Sequence, residues 1–201
     1  MSPPTVTPPT RYQPLRPATI ASLDDSRRET LLRAVSNVAS CEAARLTVGQ
    51  IAAGLPLSEV DKDTYDGTAS DRHPLHTLHK TLCPQAVDRA ERFRSTFDPR
   101  VLKFKPQLCR EYQAAAPRSR AFSTRLIELV AASIHQIAAL LHESDARADP
   151  DWTRDIKSWT APEGDAVWWY TFPDGPPPTL LRHKWYCDYA QYPRGVADSV
   201  G

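Results

Sequence analysis

The sequence predicts a mainly helical α+β protein, an irregular bundle of four to six helices around a central helix at about 120–143, with a small aromatic-rich β lobe at the C-terminal end. Apolar residues recur at helical spacing through 120–143 and cover more than half of the circumference. Shorter amphipathic stretches precede this segment, and aromatic residues concentrate after residue 160. Because a helix that is apolar on so many sides needs several neighbours, we place it at the centre.

The composition limits the class of protein. The chain has 201 residues, of which 41% are hydrophobic, enough for one good core. Its net charge is +1, so no overall field favours nucleic acid or an anionic membrane. It contains 19 prolines but 7 glycines, and proline restricts the backbone and removes hydrogen-bond donors. We therefore expect irregular connections between the helices.

The cysteines and the hydropathy pattern indicate the compartment. The four cysteines are widely spaced without a C-x-x-C pair, and we find no secretory apolar region, so we expect reduced thiols and a cytoplasmic or nuclear protein that is not secreted. The uncharged run at 129–142 is 14 residues long, short of the roughly 18 that span a bilayer. We expect no membrane association.

Three regions follow from the composition along the chain. Residues 1–20 carry six prolines and no acidic residue, which predicts a disordered proline-rich tail. The P-x-x-P stretch at 14–17 would alternatively bind a proline-recognition module. We predict a helical domain at 21–160 and an aromatic and proline-rich lobe at 161–201 that packs on it and is incomplete at its end.

Helix signals appear in order along the helical domain. An acidic start at 22–25 opens an apolar face that continues to Leu46, and Gly54 followed by Pro56 ends a second helix. A further helix spans 85–97, and the Asp-Pro pair at 149–150 starts a short helix with two tryptophans. Residues 61–67 resemble a calcium loop, but Tyr65 and two later positions have the wrong residue types.

A histidine-rich stretch follows Pro74, which suits the first position of a helix. His73, His76 and His79 lie beside a leucine stripe, and Cys83 follows at helical spacing. Imidazole and thiolate are the ligands that zinc prefers, but one short helix cannot surround a metal without a ligand from elsewhere, such as His183. We interpret these histidines as the polar flank of an amphipathic helix and predict no metal site.

The segment 89–120 is basic. From 88 to 120 there are nine Lys and Arg residues and four Asp and Glu residues, interleaved with aromatic side chains. This composition is typical of an anion or nucleic-acid surface. However, Leu102 and Phe104 alternate with lysines as in a half-solvated strand, and no nucleic-acid-binding motif accompanies the charge.

The C-terminal lobe is rich in tryptophan and tyrosine. β-branched and aromatic residues at 167–172 predict a strand. Aromatic side chains with nearby polar groups are typical of a pocket for a flat or sugar-like ligand, and the simpler alternative is packing. The candidate ligand-binding residues are Trp168, Trp169, His183, Trp185 and Tyr186.

The end of the chain carries one resemblance. The proline run at 173–178 followed by YCDYAQYPRGVADSVG resembles a stretch in uncharacterised proteins of filamentous fungi. Members of that family continue past this point into an aromatic and then a Gly-Gly-Val-rich segment. The resemblance covers about 173–201, implies no activity, and implies that the chain stops early.

The sequence contains no serine-nucleophile, P-loop, dinucleotide-binding or H-E-x-x-H motif. We therefore expect a non-catalytic intracellular interaction or scaffold domain with a protein partner and no cofactor. One alternative is an enzyme or small-ligand binder whose pocket lies between the central helix and the 168–192 aromatic lobe, where His135 or His142 would meet His183. The other is anion or nucleic-acid binding through 89–120.

Overall fold

The computed structural model describes residues 16–63, 72–145, 151–172, 174–176 and 180–181. Within these ranges it is mainly α-helical with one small sheet, as predicted, but it has nine helices instead of four to six. The elements in chain order are β1 (Ala18–Thr19), α1 (Asp25–Ser40), α2 (Glu42–Ala53), α3 (Ser58–Asp63), α4 (Leu75–Leu78), α5 (Pro84–Thr96), β2 (Lys103–Phe104), α6 (Pro106–Ala114), α7 (Arg120–Asp145), α8 (Asp151–Lys157) and α9 (Ala166–Thr171).

Several helix ends lie where the sequence signals place them. The Asp24 carboxylate accepts a hydrogen bond from the Arg27 amide and caps α1. Gly54 ends α2 with φ of +67°, a left-handed conformation that glycine adopts without steric cost. Pro84 occupies the first turn of α5, where its missing N–H costs nothing.

The sheet consists of β1 and β2, which pair antiparallel with Ala18 opposite Phe104. Ala18 and Thr19 thus belong to the fold, and Ile20 is buried, so the predicted disordered tail at 1–20 extends too far at its end. Residues 1–15 lie outside the described residues. On α7, the Gln136 side chain accepts from the Lys103 amide and donates to its carbonyl, at 2.9 and 2.8 Å. Gln136 therefore satisfies backbone groups of β2 as a third strand would.

α7 is the central helix, as predicted, and it packs against α1, α2 and α6. Its side chains Leu129, Ser133, Ala139 and Leu141 are almost completely buried. The Ser133 hydroxyl donates to the Leu129 carbonyl at 2.7 Å, so the one polar group among these four has a partner. The largest core cluster around α7 joins β1, α1, β2 and α6.

The remaining side of α7 is incompletely covered. Ile127 is 67% exposed, and many of the other apolar residues of the helix are half-buried. Among the described residues, the segment Arg120–Ser144 is long and apolar enough to cross a membrane. Its most apolar stretch of 18 residues has a mean hydropathy of 1.3, and 22% of that stretch is buried inside the protein. The core helix of a soluble protein has the same length and composition, so this property alone assigns no location.

The predicted strand at 167–172 is wrong, because residues Ala166–Thr171 form α9. The Asp165 carboxylate caps this helix by accepting from the Trp168 amide at 3.0 Å. Trp168 and Phe172 are buried while Tyr170 is 90% exposed. A strand would place all three on one face, whereas helical spacing separates Tyr170 from the other two. The small β part of the fold is the β1–β2 sheet.

Candidate functional site

Three histidines and one aspartate form the most unusual group of polar side chains in the described residues. We call Asp61, His73, His76 and His79 the histidine cluster; all four are at most 8% exposed. The prediction of a polar helix flank is therefore wrong for these histidines. α4 is a single turn that ends before His79. In this arrangement the imidazoles are buried, whereas Leu78 points to solvent and is 69% exposed.

Backbone contacts determine which ring nitrogen carries the proton in neutral His73 and neutral His79. The Leu75 amide donates to Nδ1 of His73 at 3.1 Å, so neutral His73 carries its proton on Nε2. Nδ1 of His79 lies 2.9 Å from the Pro56 carbonyl oxygen, which can only accept, so His79 carries its proton on Nδ1. Nε2 of His79 is buried without a hydrogen-bond partner in the described part of the chain.

The third ring faces the carboxylate. Nε2 of His76 lies 3.7 Å from Oδ2 of Asp61, a distance at which charges interact but a hydrogen bond is not formed. Nδ1 of His76 has no hydrogen-bond partner among the residues described. The cluster thus contains two buried ring nitrogens that lack partners, which folded proteins rarely tolerate.

Burial holds the rings of His73 and His79 in the neutral form. Desolvation is the main cause that lowers the pKa of His73 from 6.5 to about 4; a positive charge on His76 lowers it further, and Asp61 opposes both effects. Desolvation also lowers the pKa of His79, against the opposing effect of its bond to Pro56. At neutral pH, His73 and His79 are therefore uncharged imidazoles.

Two buried ring nitrogens without a hydrogen-bond partner in the described residues raise the question of a metal. Zinc sites use three or four ligands. In the described part of the chain, no group of three His, Cys, Asp or Glu side chains has a metal-binding geometry. Cys83 instead accepts a hydrogen bond from the Ala86 amide through its sulfur and caps α5. His183, the further ligand that the sequence offered, lies outside the described residues.

The predicted ligand-binding aromatics are only partly described. Trp168 is 2% exposed and packs against Trp159 and Phe172, with ring centroids 5.2 and 4.6 Å apart. It also lies 6.1 Å from the ring of His73, which joins α9 to the histidine cluster. The half-buried Trp169 donates its indole N–H to the Pro162 carbonyl at 3.1 Å. The other candidates, His183, Trp185 and Tyr186, lie outside the described residues.

The structure also forms an apolar groove that no sequence motif indicated. It lies between α2 and α5 and has a volume of about 230 Å³. Leu46 and Val87 line it and are 43% and 38% exposed. The complete lining is Glu42, Arg45, Leu46, Val48, Gly49, Leu82, Val87, Ala90, Glu91 and Arg94.

The shape of this groove depends on a glycine. A Cβ atom on Gly49 would lie 2.3 Å from a methyl carbon of Leu82, so the missing side chain lets Leu82 approach α2. Above the apolar floor, Arg45 and Glu91 face each other from the two helices at 3.8 Å, and Arg94 lies 3.5 Å from Glu91. The rim therefore carries both signs of charge.

The basic segment at 89–120 carries acidic partners within the fold. Arg100 forms an ion pair with Asp98 at 2.9 Å and lowers the pKa of that carboxyl. Glu111, at the other end of the segment, pairs with Arg125 of α7 at 2.9 Å. Phe104 is buried in the main core and is not available to stack on a base. Tyr112, another of the interleaved aromatic residues, is buried in the same core, so both of these residues are structural.

His135 and His142, one of which would meet His183 in the enzyme alternative, are both half-buried on α7. Their proposed contact, His183, is outside the described residues, so a catalytic site there stays a prediction.

No protein-family model, curated protein or solved structure matches this chain. The resemblance over 173–201 to uncharacterised fungal proteins likewise stays a prediction.

Proposed function

We propose that the chain is a non-catalytic interaction domain of the cytoplasm or nucleus that binds an amphipathic helix of a partner protein in the groove between α2 and α5. The observation that carries this proposal is the solvent exposure of Leu46 and Val87 on the floor of that groove. Exposed apolar side chains in a concave surface gain free energy when a partner covers them, by roughly 25 cal/mol per Å² removed from water.

A helix is the partner element that fits best. The groove residues of α5 are Val87, Ala90, Glu91 and Arg94, which recur at the spacing of one helix face. Two packed helices present a channel into which a third helix can lay its own apolar face. The volume of about 230 Å³ is smaller than the roughly 300–1,000 Å³ of pockets that enclose small ligands. This size favours side chains that protrude from a partner protein over a small molecule as the occupant of the groove.

The charges of the rim indicate the chemistry of the partner. Glu42 and Glu91 alternate with Arg45 and Arg94 around the apolar floor. A polyanion such as nucleic acid would be repelled by the two carboxylates, whereas a helix that carries both Lys or Arg and Glu or Asp beside its apolar face can complement them. The proposed partner is therefore an amphipathic helix of mixed charge.

A selection from displayed peptides tests this proposal. The library would hold helical peptides with apolar residues at i, i+3, i+4 and i+7 and random residues elsewhere, and the full chain would be the target. We expect selected peptides to bind the full chain and to bind its Leu46→Glu variant at least roughly tenfold more weakly, because a carboxylate on the groove floor would lose its hydration in the complex.

The Ile127→Glu variant is the matched control, since it introduces the same charge on the exposed side of α7. It should keep the affinity of the parent chain. Thermal unfolding followed by circular dichroism should show that both variants fold. Selected peptides that bind the Leu46→Glu variant as tightly as the parent chain, or that lose binding to the Ile127→Glu variant, would exclude the groove as the site.

A further inference from the structure

The histidine cluster holds together the segment that contains α3 and α4, and His73 connects this segment to Trp159 and Trp168. The α3–α4 segment, described at 56–63 and 72–83, connects α2 to α5. His79 bonds through its ring to the Pro56 carbonyl and through its backbone carbonyl to the Ser58 amide, at 2.9 Å each. His73 packs edge-on against Trp159, with ring centroids 4.8 Å apart. The cluster thus contributes contacts within this segment and, through His73, a contact with a residue outside it.

A second proton on His73 would break its backbone contact, and a second proton on His79 would place a buried charge without an acceptor among the described residues. A proton added to His73 must go to Nδ1, which already accepts the Leu75 amide proton, so two donors would face each other. A proton added to His79 must go to Nε2, which has no acceptor among the described residues. In the opened segment, water would solvate both charged rings. Protonation therefore favours the open form.

The charged groups around the cluster only partly oppose this effect. Asp61 of α3 lies 3.7 Å from Nε2 of His76 and opposes the lowering of the pKa of His73. Lys157 of α8 extends over Gly54, close to the start of the segment, and adds positive charge on that side. Arg72 and Lys80, the sequence neighbours of His73 and His79, are exposed and are also cationic. Of these charged groups, one is a carboxylate and three are cationic side chains.

We propose that the histidine cluster is a pH-sensitive lock, which holds the α3–α4 segment closed at neutral pH and releases it in mildly acidic solution. The opening is local, because the main core around α7 lies in a separate set of packed residues. Leu82, which follows the cluster in the chain, also lines the groove between α2 and α5. Release of the segment would therefore loosen one wall of the groove, a consequence that rests on the proposed function.

Amide hydrogen exchange at pH 7.5 and 5.5, corrected for intrinsic exchange rates, tests the lock on the full chain. With a pKa of about 4 for His73 in the closed form and 6.5 in the open form, we expect roughly tenfold more opening at pH 5.5. Peptides from 56–63 and 72–83 should lose protection by this factor. Peptides from α6 and α7 should stay more protected than these at both pH values, because the segment opens without them.

The double variant His73→Asn, His79→Asn should remove most of the pH response, because an amide can reproduce the Nδ1 hydrogen bonds but does not titrate. His135→Asn on α7 is the matched control and should respond as the parent chain does. NMR titration of the histidine rings of the parent chain gives a readout that needs no variant, and at least two rings should titrate below the ordinary 6.5.

Equal protection of α7 and of the α3–α4 segment at pH 5.5 would show that both open together by global unfolding, and it would overturn the proposal. An unchanged pH response in a folded double variant would overturn it as well. The groove is tested separately through the affinity of a selected peptide, which should fall at pH 5.5. If exchange changes while that affinity does not, the lock stands and its link to the groove fails.

Discussion

At the scale of single residues, His73 shows how burial changes the chemistry of a side chain. Its ring is 2% exposed and already accepts a backbone hydrogen bond. Its pKa is lowered to about 4 because a charged imidazole would lose its hydration there. A group whose pKa is lowered on folding stabilises the folded state above its unfolded pKa, and that stability disappears as the pH falls towards the folded value.

We therefore predict that the free energy of unfolding falls between pH 6.5 and about 4. For His73 alone the loss is at most about 3 kcal/mol, since one pKa unit corresponds to about 1.4 kcal/mol. Urea unfolding of the parent chain and of His73→Asn between pH 7.5 and 4.5 measures it. The variant should lose less stability over this range, and equal losses in both proteins would contradict the prediction.

Tyr112 is a second residue whose role depends on its neighbours. Its side chain is completely buried, stacks on Phe122 at 5.1 Å and donates to the Arg27 carbonyl at 3.2 Å. The Arg27 guanidinium lies over both rings and donates to the Ala115 carbonyl. This group of contacts ties α1, α6 and α7 together through side chains from three helices.

We predict that Tyr112→Phe lowers the free energy of unfolding by about 1 kcal/mol, because the hydrogen bond from the Tyr112 hydroxyl to the Arg27 carbonyl would be lost. Chemical denaturation at pH 7.5 measures this value. The control is Tyr170→Phe, which removes the same hydroxyl from a side chain that is 90% exposed and should change stability by less than about 0.5 kcal/mol. Equal effects of the two substitutions would refute the role of Tyr112.

At the scale of secondary structure, α9 shows that a cap can outweigh residue propensity. Its sequence is AVWWYT, rich in residues that favour strands. Asp165 nevertheless starts a helix by accepting from the Trp168 amide, and the helix buries Trp168 and Phe172 together against Ala161 and Trp159. Burial of two large aromatic side chains outweighs a preference that spans about 1 kcal/mol in total.

We predict that Asp165→Ala lowers stability by about 1 kcal/mol and weakens the near-ultraviolet circular dichroism of the tryptophans, because the first turn of α9 would lose its cap. Asp165→Asn is the matched control, since asparagine caps helices about as well as aspartate. The asparagine variant should keep the tryptophan signal of the parent chain. If both substitutions have the same effect, the charge of Asp165 matters more than its capping bond.

At the scale of the whole molecule, α7 organises the main core on one side and faces solvent on the other. Leu129 is completely buried among residues from β1, α1, β2 and α6, whereas Ile127, two positions before it, is 67% exposed. The wide apolar surface of this helix is therefore buried on the side of Leu129 and exposed on the side of Ile127.

We predict that Leu129→Ala lowers the free energy of unfolding by about 2–5 kcal/mol, as large-to-small substitutions in a packed core do. Ile127→Ala should change it by less than about 0.5 kcal/mol. Chemical denaturation of both variants measures these values. Similar losses would mean that α7 is covered on both sides, and two negligible losses would mean that it is not the core helix.

The candidate sites were harder to predict than the fold. The histidines of the cluster were visible in the sequence, but their helical spacing indicated an exposed flank, because α4 was expected to continue past His79. Leu46 and Val87 have no motif that marks them, and their groove exists because two helices from different parts of the chain pack together. Contacts between distant residues leave no periodic signal in either segment.

The sequence by itself determined the helical class, the length and position of α7, and the caps at Asp24 and Gly54, because local periodicity and backbone geometry act over a few residues. Tertiary structure alone decided which side of α7 is covered and which residues of the 73–82 stretch are buried. Burial depends on neighbours that the chain brings together only when it folds, and at His73 it outweighed the polarity of the side chain.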